Sequence, residues 1–129
     1  MTRPPLPGVP SVIALDIDGT LLNSKKEISA RNQRAISAAL AQGIRIALVT
    51  GRRYPAAKRI AEMLPFRPSM ILHNGGLIIE EEVPIRVRPL ERTTASAVVS
   101  FAKQLGADPV VHFGHRGEGL LYVENTSPV

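Results

Sequence analysis

The sequence of 129 residues contains no cysteine, and only 4% of its residues are aromatic. Without cysteine the chain has neither disulfide bonds nor a thiolate metal site, and a catalytic thiol is excluded. No apolar run approaches the length that spans a bilayer, so we expect no membrane anchor. Residues 1–10 hold four prolines and lack the apolar run of a secretory signal, which predicts a flexible lead in a cytoplasmic protein.

The chain also lacks a concentrated basic surface, although its net charge is +5. A positive net charge favours anionic partners by long-range attraction. The basic residues are scattered, however, as in Lys25-Lys26, Arg52-Arg53 and Lys58-Arg59. Because no aromatic residues lie among them to stack on bases, we expect a solvated surface rather than a nucleic-acid interface.

Short apolar runs alternate with helical patterns in the first 88 residues. Three strands are predicted, at residues 11–17, 44–49 and 70–73, and the first is expected to be buried. One helix is expected to begin at the cap Ser29 and end before Gly43, and another to cover residues 54–64 with Pro55 in its first turn. This order predicts an α/β fold with a parallel sheet, whose ligands bind at the carboxyl ends of the strands.

A turn signal, Asn74-Gly75-Gly76, follows the third strand and leads into a predicted hairpin of residues 77–79 and 85–87. Beyond residue 89 the pattern changes. A helix is predicted from Thr93 to Gly106, followed by two strands around a glycine-rich turn, at residues 110–113 and 120–123. The chain is therefore expected to divide into residues 1–10, 11–88 and 89–129.

Two carboxylates stand where the first predicted strand ends, in Asp16-Ile17-Asp18-Gly19-Thr20. A chain that leaves the strand at Asp18-Gly19 can turn both carboxylates towards one pocket. Such a pair suits phosphoryl transfer, in which one carboxylate attacks phosphorus and the other exchanges a proton with the leaving oxygen. A hard cation held by Asp16 would assist, and magnesium is the ion expected beside a phosphate. The alternative is a strand-end turn in which Asp18 only caps a backbone amide.

Thr50-Gly51-Arg52 ends the second predicted strand and opens the following helix. The Thr50 hydroxyl and the next amides could donate hydrogen bonds to phosphoryl oxygens at the start of that helix. A lone threonine at this place is more often a helix cap. Its position at the same sheet edge as Asp16 and Asp18 favours the phosphate-binding interpretation.

These motifs resemble the haloacid dehalogenase superfamily and, within it, the Cof-type sugar-phosphate phosphatases. The resemblance is carried by DIDGTLL, VTGR and ILHNGG. It implies a partial Rossmann-like core and a small phosphorylated metabolite as partner. It also implies that Asp16 is the nucleophile and Asp18 the acid/base, with magnesium on Asp16 and the Asp18 carbonyl. Phosphate or substrate contacts are implied for five residues: Thr50, Gly51, Arg52, Asn74 and Gly75.

The same resemblance implies a mobile segment at residues 21–28 and the beginning of an inserted α+β cap at residues 89–129. Two family motifs cannot be placed, because Lys58 and Lys103 lie in the wrong context for the phosphate-neutralising lysine and no Gly-Asp-x-x-x-Asp pattern is present. We therefore expect the amino-terminal portion of a longer two-domain enzyme, with little activity by itself.

Other functions are compatible with the same residues. A phosphosugar mutase would use the same nucleophile, and a non-catalytic basic binding module would not need it.

The three histidines, at positions 73, 112 and 115, have no common metal-ligand spacing and are expected to serve packing, solvent or substrate-rim roles.

Overall fold

A computed structural model describes residue 8, residues 10–114 and residues 119–122, the last four by their backbone alone. These residues fall into two compact units, divided between Val87 and Arg88. The elements in chain order are β1 (Val12–Asp16), α1 (Ala30–Ala41), β2 (Arg45–Val49), α2 (Tyr54–Ala61), β3 (Ser69–Leu72), a 3₁₀ turn (His73–Gly75), β4 (Leu77–Glu80), β5 (Val83–Val87), α3 (Arg92–Gln104), β6 (Val110–Phe113) and β7 (Gly119–Tyr122).

The first unit is built on a five-stranded sheet in the order β1-β2-β3-β4-β5. Strands β1, β2 and β3 are parallel, in a register that pairs Asp16 with Val49 and Val49 with Ile71. The pairs β3–β4 and β4–β5 are antiparallel. The predicted α/β class and the predicted hairpin are therefore confirmed, and the sheet is mixed because the hairpin joins it.

The burial predicted for the first strand is wrong. None of the five residues of β1 is buried, and Val12 is 40% exposed. Within the described residues β1 hydrogen-bonds to β2 alone and forms one edge of the sheet. An apolar run indicates a strand with two apolar faces, but burial requires neighbours on both sides of it.

The helices of the first unit begin where their caps were predicted. The Ser29 side chain accepts a hydrogen bond of 3.1 Å from the Asn32 amide at the start of α1. Ile36 is the buried residue of this helix. Pro55 lies in the first turn of α2, which ends at Ala61, three residues before the predicted end. These short helices pack on the sheet and bury its centre.

The core of the first unit contains four large side chains with no more than 1% exposure, from three strands and the turn after β1: Ile17, Leu48, Leu72 and Ile79. Further buried residues, including Ile28, Ile36 and Met70, join them in one cluster. No helix in the described part of the chain is long and apolar enough to cross a bilayer.

The turn between β4 and β5 has an uncommon backbone, since Glu81 and Glu82 have φ angles of 48° and 66°. The left-handed region disfavours residues other than glycine, asparagine and aspartate. The Glu82 carboxylate lies 3.8 Å from the Lys58 ammonium and 3.4 Å from the Arg67 guanidinium. The turn therefore carries its own ionic contacts to α2 and to the segment before β3.

The second unit consists of α3 and the antiparallel pair β6–β7. The predicted helix and both predicted strands are present, although β7 begins one residue before its predicted start and residue 123 lies outside the described residues. No residue of α3 is buried. Residues 1–7 and 9 of the lead expected at residues 1–10, and the residue His115, also lie outside the described part of the chain.

Candidate functional site

The first group of site residues follows directly from the end of β1. Asp16 and Asp18 are exposed, whereas Ile17 between them is completely buried. The backbone turns at Gly19, whose φ of 76° is one that only glycine adopts readily. The Leu21 amide then donates to the Asp16 carbonyl at 3.1 Å. This tight turn keeps both carboxylates on the solvent side of the buried Ile17.

Thr50 follows β2 and is 6% exposed. Its amide donates to the Ile71 carbonyl at 2.9 Å, and its hydroxyl accepts from the Arg52 amide at 3.2 Å. Helix α2 begins at Tyr54, as predicted, so the motif forms the loop that leads into this helix. Because the hydroxyl bonds to the backbone two residues ahead, it shapes this loop between strand and helix.

The first two motifs are joined by an ion pair between Arg52 and Asp18. The guanidinium donates from Nε to Oδ2 at 2.7 Å and from Nη2 to Oδ1 at 2.6 Å, in a two-point contact. This contact lowers the pKa of Asp18 to about 2 and raises the pKa of Arg52. Asp16 also contributes to the raised pKa of Arg52, so both carboxylates act on the same cation.

The turn after β3 lies against the Thr50 loop. His73, Asn74 and Gly75 have φ angles of 50°, 54° and 96°, and the Asn74 amide approaches the Thr50 carbonyl at 3.4 Å. A Cβ atom on Gly51 would lie 2.9 Å from the Asn74 Oδ1 atom. The close approach of Asn74 therefore explains why glycine occupies position 51.

Most of the predicted site residues thus meet at the carboxyl ends of β1, β2 and β3. Asp18 contacts Arg52 by its side chain, and Arg52 contacts Thr50 by its backbone. Asn74 contacts Gly51, and Gly75 completes the same turn. These contacts bring together residues up to 34 positions apart in the sequence.

The oxygen atoms at this edge are of the kind that magnesium prefers. The Asp16 carboxylate and the Asp18 carbonyl are hard donors, and magnesium commonly takes one or two carboxylates with waters and a phosphate. The Asp18 carboxylate is engaged by Arg52, which leaves its carbonyl as the donor. Nowhere in the described residues do three or more His, Asp or Glu side chains cluster as metal ligands. His73 and His112 therefore form no such site, and His115 lies outside the description.

Two residues that contact the site, Lys26 and Asn32, were not among the predicted site residues. The Lys26 ammonium lies 3.3 Å from the Asp18 Oδ1 atom. The Asn32 side chain donates to the Leu21 carbonyl at 3.0 Å and to the Thr20 carbonyl at 3.3 Å, and so fastens α1 to the turn after β1. The sequence indicated only that Lys26 lies in the segment expected to be mobile. Its approach to Asp18 could not be predicted, because it depends on a bent backbone.

Comparison with known proteins gives a match to one protein family and to several named phosphatases. The family model described as haloacid dehalogenase-like hydrolase matches residues 13–127. A 5-amino-6-(5-phospho-D-ribitylamino)uracil phosphatase of Bacillus subtilis, YcsE, is 35% identical over 82 residues, which are 64% of this chain and 33% of that protein. Other matched bacterial proteins are also named phosphatases.

The chloroplastic endoribonuclease YBEY of Arabidopsis thaliana is 48% identical over 80 residues, which are 62% of this chain but 13% of that protein. A solved structure of a haloacid dehalogenase-like hydrolase from B. subtilis superimposes with a TM-score of 0.68 at 31% identity, over 74% of this chain and 34% of that one. The chain thus spans about a third or less of these relatives.

Proposed function

The chain belongs to the haloacid dehalogenase-like hydrolases of the Cof type, and on that premise we propose that it carries the nucleophile end of a phosphatase site. The proposed reaction is hydrolysis of a small phosphate monoester through an aspartyl-phosphate. Asp16 is assigned as the nucleophile and Asp18 as the acid/base. Thr50, Gly51, Arg52, Asn74 and Gly75 are assigned to the phosphate or substrate.

The observation that supports this proposal is the contact of Asp18 with Arg52 at the common edge of β1 and β2. A guanidinium that is paired with a carboxylate can exchange this partner for another anion with a similar arrangement of oxygens, such as a phosphate. In this proposal Arg52 binds phosphoryl oxygens with the same two-point geometry that it uses for the Asp18 carboxylate. The buried Thr50 beside it accepts a hydrogen bond from the Arg52 amide, which supports a fixed shape for this loop.

In the proposed first step a carboxylate oxygen of Asp16 attacks phosphorus and the bond to the ester oxygen breaks. The departing oxygen takes a proton from Asp18. In the second step a water molecule attacks phosphorus, Asp18 takes its proton, and Asp16 is released with inorganic phosphate. Magnesium, held by the Asp16 carboxylate and the Asp18 carbonyl, would supply charge neutralisation between the anionic nucleophile and the anionic ester.

In this proposal Arg52 leaves Asp18 when the substrate binds. While Arg52 is bound, its contact holds the pKa of the Asp18 carboxyl at about 2. A substrate phosphoryl group competes with Asp18 for the guanidinium, and loss of the two-point contact removes the first cause of the lowered pKa. Substrate binding then frees the Asp18 carboxylate for its acid/base role, as Arg52 passes from carboxylate to phosphate.

We propose a sugar phosphate or a similar polyol phosphate as substrate. One relative is named as the phosphatase of a phosphoribityl compound, a polyol phosphate. The match to the endoribonuclease covers a small part of that protein and supports no activity on nucleic acid. A mutase would share the first step and differ in whether water reaches the intermediate. The cytoplasmic location and the assignment of residues 89–129 to a cap stay predictions.

The experiment is Asp16→Asn in the full-length polypeptide that carries this chain, with p-nitrophenyl phosphate and magnesium. We expect kcat/KM to fall by about a thousandfold or more, because the nucleophile is lost while the side-chain volume is kept. Glu27→Gln is the matched control, since it removes an exposed carboxylate from the adjacent segment and should leave turnover unchanged. Normal turnover in Asp16→Asn would reject the nucleophile assignment.

A further inference from the structure

Residues 22–28 form a small hairpin directly after the first motif. Leu22 and Ile28 bridge as antiparallel partners and are 3% and 6% exposed. At its tip the Asn23 side chain accepts hydrogen bonds from the Lys25 amide at 2.9 Å and from the Glu27 amide at 3.0 Å. The tip is therefore anchored by apolar side chains and held in one shape by its own hydrogen bonds.

Lys26 occupies the strained position of this tip. Its φ angle is 62°, in the left-handed region where glycine or asparagine is preferred, and its amide donates to the Asn23 carbonyl at 2.9 Å. The bend turns its side chain back towards the end of β1. As a result the Lys26 ammonium reaches the Oδ1 atom of Asp18 at 3.3 Å.

We propose that Lys26 is a positioning residue that holds Asp18 by its Oδ1 atom, and this inference rests on the proposed function. Arg52 contacts both carboxylate oxygens and leaves when it binds the phosphoryl group. Lys26 is then the remaining cation at Asp18 among the described contacts. Because it contacts only the Oδ1 atom, Lys26 keeps the orientation of the Asp18 carboxylate fixed after Arg52 has left and leaves Oδ2 without this contact.

The test compares Lys26→Met with Lys26→Arg and with the control Lys25→Met in the full-length polypeptide. Lys25 is the neighbouring exposed lysine, and its side chain forms no ion pair with any residue that the structure describes. The two substrates are β-glycerol phosphate, whose alkoxide needs a proton to leave, and p-nitrophenyl phosphate, whose phenolate needs less help.

For Lys26→Met we expect kcat on β-glycerol phosphate to fall about fivefold with KM within about twofold, and kcat on p-nitrophenyl phosphate to fall less. Lys26→Arg should recover most of the loss, and Lys25→Met should match the parent. A raised KM with normal kcat would overturn the inference by making Lys26 a substrate ligand. Equal behaviour of Lys26→Met and Lys25→Met would also overturn it.

Lys26→Gly separates this role from a folding defect. Glycine relieves the left-handed backbone, so its thermal midpoint should equal or exceed that of the parent while kcat falls as in Lys26→Met. A parent-like kcat in Lys26→Gly would overturn the inference. If Asp16→Asn is inactive and the Lys26 variants are normal, only the role of Lys26 fails; if Asp16→Asn is active, the proposed function fails first.

Discussion

The two units of the chain have similar sequence patterns but differ in what they bury. In the first unit Leu48 and Leu72 are completely buried between helices and neighbouring strands. In the second unit α3 has apolar residues at helical spacing, yet Phe101 and Leu105 are 62% and 71% exposed. The difference teaches that a periodic pattern marks an apolar face, whereas burial depends on a second element that covers it.

The largest effect is expected when one apolar side chain is truncated in each unit, and it sharpens this comparison. Leu48→Ala should lower the free energy of unfolding by about 3 kcal/mol, because it removes buried surface and leaves a cavity. Phe101→Ala should change it by less than about 0.5 kcal/mol, because most of its side chain already contacts solvent. Urea unfolding followed by far-ultraviolet circular dichroism measures both.

An equal loss in the two variants would break the comparison, since it would mean that Phe101 is covered in solution. Leu72→Ala serves as the matched control in the first unit, because Leu72 is as completely buried as Leu48. A cost for Leu72→Ala close to that of Leu48→Ala would assign the effect to the shared core rather than to one position.

The helices of the two units should also differ, by a smaller amount, in the stability that their first residues contribute. Ser29 caps α1 through a side-chain hydrogen bond, whereas Glu91 at the start of α3 makes none. Ser29→Ala should therefore cost about 1 kcal/mol of stability, and Glu91→Ala only about 0.3 kcal/mol or less. Thermal unfolding of the two single variants measures the difference, and Ser29→Thr should retain most of the parent stability. A larger cost for Glu91→Ala would contradict the capping difference.

The smallest expected effect concerns acid stability at the charged edge of the first unit. Because Arg52 lowers the pKa of Asp18 from 3.8 to about 2, ionised Asp18 stabilises the folded state above pH 3.8. This contribution is lost as the pH falls through about 2. Asp18→Asn should therefore flatten that part of the acid slope in urea unfolding, and Arg52→Met should flatten it to a smaller extent, because Lys26 also lowers the pKa of Asp18. The effect is small because the Asp18 side chain is 45% exposed, and unchanged slopes in both variants would contradict it.

Much of the fold could be predicted from local sequence. Ser29 indicated the start of α1 because capping depends on neighbouring residues, and the hairpin of β4 and β5 was predicted from two short apolar runs that follow the Asn74-Gly75-Gly76 turn signal. The exposure of β1 could not be predicted, because it depends on which strands pair with it. The early end of α2 at Ala61 was also missed, since apolar spacing continues beyond it.

The site was predictable to the extent that its residues lie at strand ends. Parallel strands place their carboxyl ends on one edge, so the meeting of the Asp18 and Thr50 motifs could be expected. The pairing of Arg52 with Asp18 and the packing of Asn74 on Gly51 could not, because each depends on side chains from distant segments. Lys26 was missed for the same reason, as its reach follows from a left-handed residue in the tip of a hairpin.

The ionic contacts of Glu82 make the two ends of the β4–β5 hairpin respond differently to ionic strength. At the turn, the partly exposed pairs with Lys58 and Arg67 weaken as dissolved ions screen them within a Debye length. At the other end, Leu77 is held by apolar packing in the core, which screening leaves intact. Concentrated salt therefore loosens the tip of the hairpin while its base stays in the sheet.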